Sequence, residues 1–276
     1  MEEPRAKADL FQSVLYKTNA AVIATDDLVL VVDPCWLPDE VERIRAHVGA
    51  IRAGRPVCLL LTHSDFDHIL GYGAFPGAAV IASSRFAAKP EGERNRILEE
   101  IRAFDDAYYL DRDYPVAYPE VDRAIAGDGE EMVIGGTRLV FYQSPGHTPD
   151  GLFAIVEPAG VWIAGDYLSD VEFPIIDHDS RRYEETLAKA ETILARHRVS
   201  LLVPGHGTAT SDIEEIRRRI RRDAAYIRRL RELVAAGDGP AIDAMIDGCP
   251  YPRNLRECHR KNRERIRSEL GASRDG

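Results

Sequence analysis

Short apolar runs in this chain stop abruptly at single acidic or imidazole side chains. Val31-Val32 leads into Asp33, and Leu59-Leu60-Leu61 into Thr62-His63. Val161-Trp162-Ile163-Ala164 leads into Gly165-Asp166, and Leu201-Leu202-Val203 into Pro204-Gly205-His206. Unbroken apolar runs of this length, bounded by turn-forming residues, read as buried strands. The pattern predicts strands over residues 10–17, 20–25, 28–33, 57–62, 79–82 and 199–203. It also predicts two hairpins, over 131–142 with its turn at Gly135-Gly136 and over 152–164 around Pro158 and Gly160. Elsewhere the apolar spacing lengthens to every third or fourth residue, the mark of a helix with one buried face. Val41, Ile44, Val48 and Ile51 make the first such stripe. Ile97, Ile101, Phe104 and Tyr108 make a second over 91–110, and Tyr183, Leu187, Ala190 and Leu194 a third over 181–198. Ser211 with Glu214 reads as a capping box opening a long helix. Its inward positions are Ile213, Ile216, Ile220, Ala224, Ile227, Leu230 and Val234, and a last helix is predicted over 253–270.

The elements echo one another. Segments 28–33 and 161–166 each end in Asp, segments 59–63 and 201–206 each end in His, and a predicted helix lies between the members of each half. This predicts two similar strand–helix–strand halves whose strand ends converge on one site. Strand-end loops are where a rigid scaffold usually presents chemistry.

Composition narrows the picture. With 276 residues, 45% hydrophobic and 30% charged, the chain reads as an ordinary globular protein. The expectation is one unit over 1–276, with a helical extension over about 211–276. A net charge of -10 argues against a general nucleic-acid binder, which carries a basic footprint. No apolar run approaches the roughly 18 residues that span a bilayer. Met1-Glu2-Glu3-Pro4-Arg5 lacks the apolar core of an export signal, so a cytoplasmic location with no membrane partner is expected. Cys35, Cys58, Cys249 and Cys258 form no CxxC pair and are expected to be free thiols. Cys58 opens a buried strand, and Cys35 follows Asp33-Pro34 near the strand-end cluster.

The densest chemistry is His63-Ser64-Asp65-Phe66-Asp67-His68, four candidate metal ligands in six positions after an apolar strand. Imidazole nitrogen with carboxylate oxygen suits zinc, iron or manganese at a hydrolytic centre. A polar surface turn would explain one His more readily than four ligands. His147, held between turn-forming residues in Ser144-Pro145-Gly146-His147-Thr148-Pro149, and the strand-end Asp166 and His206 join the set. Several residues are more ambiguous. His47 and His197 are expected to face solvent, and His178 lies in a polar loop that could reach the site. His259 and Asn262 share a face of the last helix and are candidates for a substrate pocket. The loop with Tyr114, Pro115, Tyr118 and Pro119 is either a lid or a packed surface loop. Arg217, Arg218, Arg219, Arg221, Arg222, Arg228, Arg229 and Arg231 form a face that reads as solvated helix surface before it reads as an anion-binding one.

Taken together, Asp33, the His63–His68 cluster, His147, Asp166 and His206 resemble the metallo-β-lactamase superfamily of hydrolases over about residues 10–210. The family pattern is an Asp, a Thr-His-x-His-x-Asp-His run, then separate His, Asp and His residues. The resemblance implies an α/β fold, a four-layer αββα sandwich. It implies two divalent metal ions, zinc foremost, with manganese or iron as alternatives. His63 and His147 would hold the first ion, Asp67, His68 and His206 the second, and Asp166 would bridge them, with Asp33 supporting the ligands from behind. The departure is Asp65, where the family pattern has His. It could bind the first ion as a harder ligand, leave that site weak, or only accept a hydrogen bond. Tyr167, after the bridging Asp166, is either an oxyanion donor or a packed aromatic.

The function expected is hydrolysis of a small ester, thioester or lactone by a metal-bound hydroxide, with Asp67 orienting the water. A phosphodiesterase of the same fold and a mononuclear iron dioxygenase acting on a sulfur substrate are the alternatives. A small-molecule substrate is the expected partner. The sequence does not set the oligomeric state, and a homodimer is one arrangement left open.

Overall fold

A computed structural model describes residues 6–272. Residues 1–5, read above for an export signal, and the last four of the expected extension lie outside the described residues. The first sheet has six strands in chain order: β1 (Lys7–Gln12), β2 (Asn19–Ala24), β3 (Val29–Val32), β4 (Val57–Leu60), β5 (Ala79–Ser83) and β6 (Arg123–Ile125). β1, β2 and β3 pair antiparallel, whereas β3, β4, β5 and β6 run parallel. Helices α1 (Pro38–Ile51), α2 (Phe66–Ile69), α3 (Ser84–Ala87) and α4 (Glu91–Ala107) interrupt it. The second sheet is built from β7 (Glu130–Ile134), β8 (Thr137–Gln143), β9 (Leu152–Glu157), β10 (Val161–Ile163) and β11 (Leu201–Val203), in the order β11-β10-β9-β8-β7. Only β10 and β11 pair parallel in it. Helix α5 (Ser180–Arg196) connects those two, and α6 (Ile213–Ala236), α7 (Gly239–Ala244) and α8 (Pro252–Ala272) follow.

Period-two side-chain alternation makes the layers. In β3, Val29 and Val31 pack with α1 residues Val41, Ile44 and Val48 and with α4 residues Ile97 and Ile101. Leu30 and Val32 point the other way, into a cluster shared with Leu139, Phe141, Ala154 and Val156 of the second sheet. β9 repeats the device: Phe153 and Ile155 meet Tyr183, Leu187, Ile216 and Ile220 of α5 and α6. Strands apolar on both faces are therefore sandwiched between a sheet and a helix layer, which explains their unbroken apolar runs. The result is the expected αββα sandwich.

The two halves anticipated from the sequence are present. α1 connects the parallel pair β3 and β4, and α5 connects the parallel pair β10 and β11. Asp33, His63, Asp166 and His206 all follow the carboxyl ends of these four strands, the usual ligand side of parallel sheets.

Some expectations are corrected. The strand predicted over 10–17 ends at Gln12, because Tyr16 and Lys17 take positive φ (49° and 53°) in a turn closed by Ser13 N–H to the Thr18 carbonyl at 2.9 Å. α6 is capped by Asp212, whose carboxylate accepts from Glu214 N–H at 2.9 Å, one residue after the expected Ser211. Residues 114–119, read above as either a lid or a packed loop, pack against the protein. Tyr114 is buried in the outer core, and the Tyr118 hydroxyl donates to the Phe86 carbonyl at 3.0 Å. α2, α3, α7 and β6 were not anticipated; none is long enough to display a period.

Candidate metal centre

Four imidazoles converge through their Nε2 atoms because each Nδ1 is already committed. Asp33 accepts Thr62 N–H at 2.8 Å on one oxygen, and the Thr62 hydroxyl at 2.6 Å and His68 Nδ1–H at 3.0 Å on the other. With its proton given to Asp33, the Thr62 oxygen accepts His63 Nδ1–H at 2.9 Å. His147 Nδ1–H donates to the Ile175 carbonyl at 2.8 Å. His206 Nδ1–H faces the Tyr16 carbonyl at 3.1 Å and the Thr18 hydroxyl at 3.2 Å. Fixing the proton on Nδ1 leaves an Nε2 lone pair facing inward, as a metal ligand requires.

The inward atoms form two groups, His63 with His147 and Asp166, and Asp67 with His68 and His206, each with all ligand atoms within 4.8 Å of one another. In the first, Asp166 Oδ2 lies 3.7 Å from His63 Nε2 and 3.3 Å from His147 Nε2. Asp65 Oδ2 approaches the same pair at 3.6 and 3.2 Å. In the second, Asp67 Oδ2 is 3.5 Å from both His68 Nε2 and His206 Nε2. Asp166 reaches this group too, with Oδ1 3.1 Å from His68 Nε2 and Oδ2 3.1 Å from His206 Nε2. Tetrahedral ligands about 2.0–2.1 Å from a zinc ion stand roughly 3.3 Å apart, so these spacings fit a cation of that size at each group.

Two further observations bear on the fit. His63 Nε2, His68 Nε2 and Asp166 Oδ1 are buried without a hydrogen bond, a condition rare in folded proteins and expected of atoms that take a metal. The charges are also mutually dependent. Burial disfavours the His206 cation, yet Asp166, Glu172 and Asp67 push its pKa up to about 10. Against the same burial, Asp166 and Asp67 hold His68 well above its ordinary value, and Asp166 and Asp65 do so for His147. Desolvation opposes ionisation of Asp166 and of the partly exposed Asp65, but the surrounding imidazoles hold both carboxyls far below the usual range. Protons and metal ions thus compete for the same nitrogen atoms.

The remaining candidates sort by contact. Asp33 stands behind the candidate ligand His68 and beside Thr62, with its backbone at φ 41°. Tyr167 is fully enclosed: its hydroxyl donates towards the carbonyls of Pro145 (3.0 Å) and Ser144 (3.2 Å) and accepts His147 N–H at 3.1 Å. It braces the turn carrying His147 and is not free for an oxyanion. Cys35 is buried, and burial foremost pushes its thiol well up. His47 and His197 do not simply face solvent, since the first meets Asp9 at 3.0 Å and the second lies between Glu157 and Tyr142. His259 and Asn262 are structural: with Tyr226 they tie α8 to α6, and Asn262 binds Pro174 O and Ile176 N.

Sequence reading missed Thr18, Trp36 and Glu172. Trp36 Nε1–H donates to the Thr18 hydroxyl at 2.7 Å, behind His206, while its ring packs edge-on against Phe66 between Asp65 and Asp67. Glu172 is largely enclosed near the second group, its carboxyl raised by burial first and by Asp166 and Asp67 after it, against the lowering pull of His206. It also lines a cavity of ≈ 690 Å³ with Tyr16, Lys17, Val171, Tyr251 and Arg253. None of these lies in a local motif, so no sequence signal marked them.

The model of the metallo-beta-lactamase superfamily matches residues 14–227. A probable metallo-hydrolase, YqgX of Bacillus subtilis, is 27% identical over 203 residues, 72% of this chain and 89% of that protein. Among solved structures, the metallo-beta-lactamase family protein TTHA1429 from Thermus thermophilus superposes with a TM-score of 0.65 at 20% identity, covering 96% of this chain and 94% of that one. ETHE1 from Myxococcus xanthus superposes at 0.56 and 18% identity, covering 93% and 98%. These two likenesses speak for the fold; the family match spans strands β2 to β11 and every candidate ligand. The chain belongs to the metallo-beta-lactamase superfamily.

Proposed function

We propose that the protein is a metal-dependent hydrolase of a small ester, thioester or lactone, with a dinuclear centre. The observation that carries this reading is Asp166, whose two oxygens reach both ligand groups. His63, His147, Asp65 and Asp166 would hold one ion, and Asp67, His68, His206 and Asp166 the other. Held there, divalent ions would supply Lewis acidity and would lower the pKa of bound water from 15.7 towards about 7, the value at a catalytic zinc.

The chain's own residues do the rest. Asp33, Thr62, Ile175 and Tyr16 hold the imidazoles in place through their Nδ1 atoms, a preorganised arrangement. Asp67, 9% exposed, stands at the wall of the second group, and we assign it the orientation of the attacking water. The 690 Å³ cavity, sharing Tyr16 and Glu172 with the surroundings of His206, has the volume of a small-molecule pocket. We take zinc as the leading metal, with manganese or iron as alternatives.

Metal analysis of the purified protein, joined to ester, thioester, lactone and phosphodiester assays, tests this. Two equivalents of zinc or manganese with carboxylic ester, thioester or lactone turnover is the expected result. Phosphodiester turnover would replace the substrate class, one iron with oxygen uptake would replace the reaction, and a protein binding no metal would end the reading.

A further inference from the structure

Helix α6 turns Arg219 inward and lays the half-exposed Arg222 against the neighbouring loop, against the expectation of a wholly solvated face. Arg219 is 3% exposed. Its Nη1 donates to the Leu168 carbonyl at 3.0 Å and the Thr208 carbonyl at 2.8 Å, while Nε donates to Glu215 at 2.7 Å. One turn along, Arg222 Nη2 donates to the carbonyls of Ser169 and, at 3.1 Å, Glu172. Leu168 stands two residues after Asp166, and Thr208 two residues after His206. Both loops therefore end on one guanidinium.

The loops also constrain each other. Asp170 accepts Thr208 N–H at 2.7 Å, and a Cβ on Gly205 would lie 2.1 Å from Asp166 Oδ1. Leu168 holds φ at 60°, a conformation a bulky residue keeps only when its surroundings impose it. A displacement of either loop is thus passed to the other, and Arg219 is the buried group bonded to both.

We propose that Arg219, assisted by Arg222, is a positioning residue that clamps the Asp166 and His206 loops in register for metal binding. The proposal rests on the reading that these two residues hold metal. Arginine suits the task because its planar fork donates in several fixed directions, whereas a lysine ammonium is a single point on a flexible stem. His206 belongs only to the second group, while the first has His63, His147 and Asp65 besides Asp166. Loosening the clamp should therefore weaken the second ion more than the first, by about the 10–100-fold typical of outer partners of metal ligands.

The test is cobalt(II) titration of metal-free full-length protein, followed by visible absorption and chelator competition, with thermal melting as a check on folding. Arg219→Met should weaken the second ion by about 10–100-fold and alter its ligand-field bands. Arg219→Lys should recover part of the affinity, and Arg217→Met, on the exposed face, should bind like wild type. Wild-type affinities and spectrum in a folded Arg219→Met protein would overturn the clamp alone. If Arg219→Met does not fold, Arg222→Met, which removes the Ser169 and Glu172 contacts, decides: a smaller loss at the second ion supports the clamp, and no loss overturns it. Wild-type protein that binds no cobalt would overturn the metal-centre reading and the clamp with it.

Discussion

The two candidate ligand groups share Asp166 but are built differently. The second is closed: Asp67, His68 and His206 are 9%, 0% and 5% exposed. His68 is backed by the buried Asp33, and His206 by the Tyr16 carbonyl and the Trp36–Thr18 pair. The first is open on one side, because the Asp65 side chain that faces His63 and His147 is 37% exposed. The difference teaches where the centre is rigid and where it can be tuned. A ligand fixed from behind by a buried network tolerates little change, whereas a solvent-facing carboxylate can change identity without disturbing its neighbours.

The largest effect should come from the residue the groups share. Asp166→Asn removes a charge from both and turns one oxygen into an amide donor facing an imidazole or a metal. We expect both ions to be lost at ordinary concentrations, with affinity falling by more than the roughly 100-fold upper range for outer partners. Metal analysis after dialysis checks this. Loss of only the second ion would mean that Asp65 substitutes for Asp166 in the first group.

Asp33→Asn is next. Asp33 takes three donors, Thr62 N–H, the Thr62 hydroxyl and His68 Nδ1–H, and an amide side chain can accept on only one of its two ends. Asn tolerates the positive φ at this position, so the backbone should stay in place. His68 loses its partner directly and His63 loses it through Thr62. Affinity for both ions should fall about 10–100-fold, measured by chelator competition. A change confined to the second ion would show that Thr62 holds His63 unaided.

Much of this centre was legible in the sequence, for a physical reason. Its candidate ligands His63, Asp166 and His206, and the supporting Asp33, lie where apolar strands stop, so both chemistry and position marked them. The αββα layering was legible in the same runs, since a strand buried on both faces cannot alternate. What was hidden acts through space. The carbonyls of Tyr16 and Ile175 carry no side-chain signature, and Trp36 looked like any core aromatic. The arginines of α6 read as one solvated face because a helix's outward and inward charges are told apart only by what packs against them. Asp212 and Ser211 are both good caps, and local propensity does not separate them.

Proton competition sets the pH response. In metal-free protein, His206 has its pKa raised to about 10, with His68 and His147 also raised, so the folded state binds protons more tightly than the unfolded chain. That stabilisation is complete below the ordinary imidazole value near 6.5 and is lost as pH rises towards 10. The lowered carboxyls of Asp65 and Asp166 add a stabilisation present above about 4 and lost below it. Metal-free protein should therefore melt at progressively lower temperature from pH 6.5 to 9. Metal binding gains over the same range, since fewer protons must be displaced. The gap in melting temperature between metal-loaded and metal-free protein should widen with pH. A gap that stays constant would mean that the imidazoles are already deprotonated before metal arrives.

The smallest effect is expected at Asp65, and it tests the openness of the first group most directly. Asp65 stands 3.2 Å from His147 and 3.6 Å from His63, the spacing of a ligand, yet it also sits where either nitrogen could simply donate to it. Asp65→His exchanges a hard, charged oxygen donor for an imidazole and places no bulk in the enclosed second group. If Asp65 is a ligand of the first ion, zinc should gain on manganese there by roughly tenfold or less, following the softer donor set. The second ion should be untouched. Competitive loading with the two metals, read site by site, measures the shift. An unchanged preference at the first ion would make Asp65 a hydrogen-bond acceptor beside the centre, and would leave that ion to His63, His147 and Asp166.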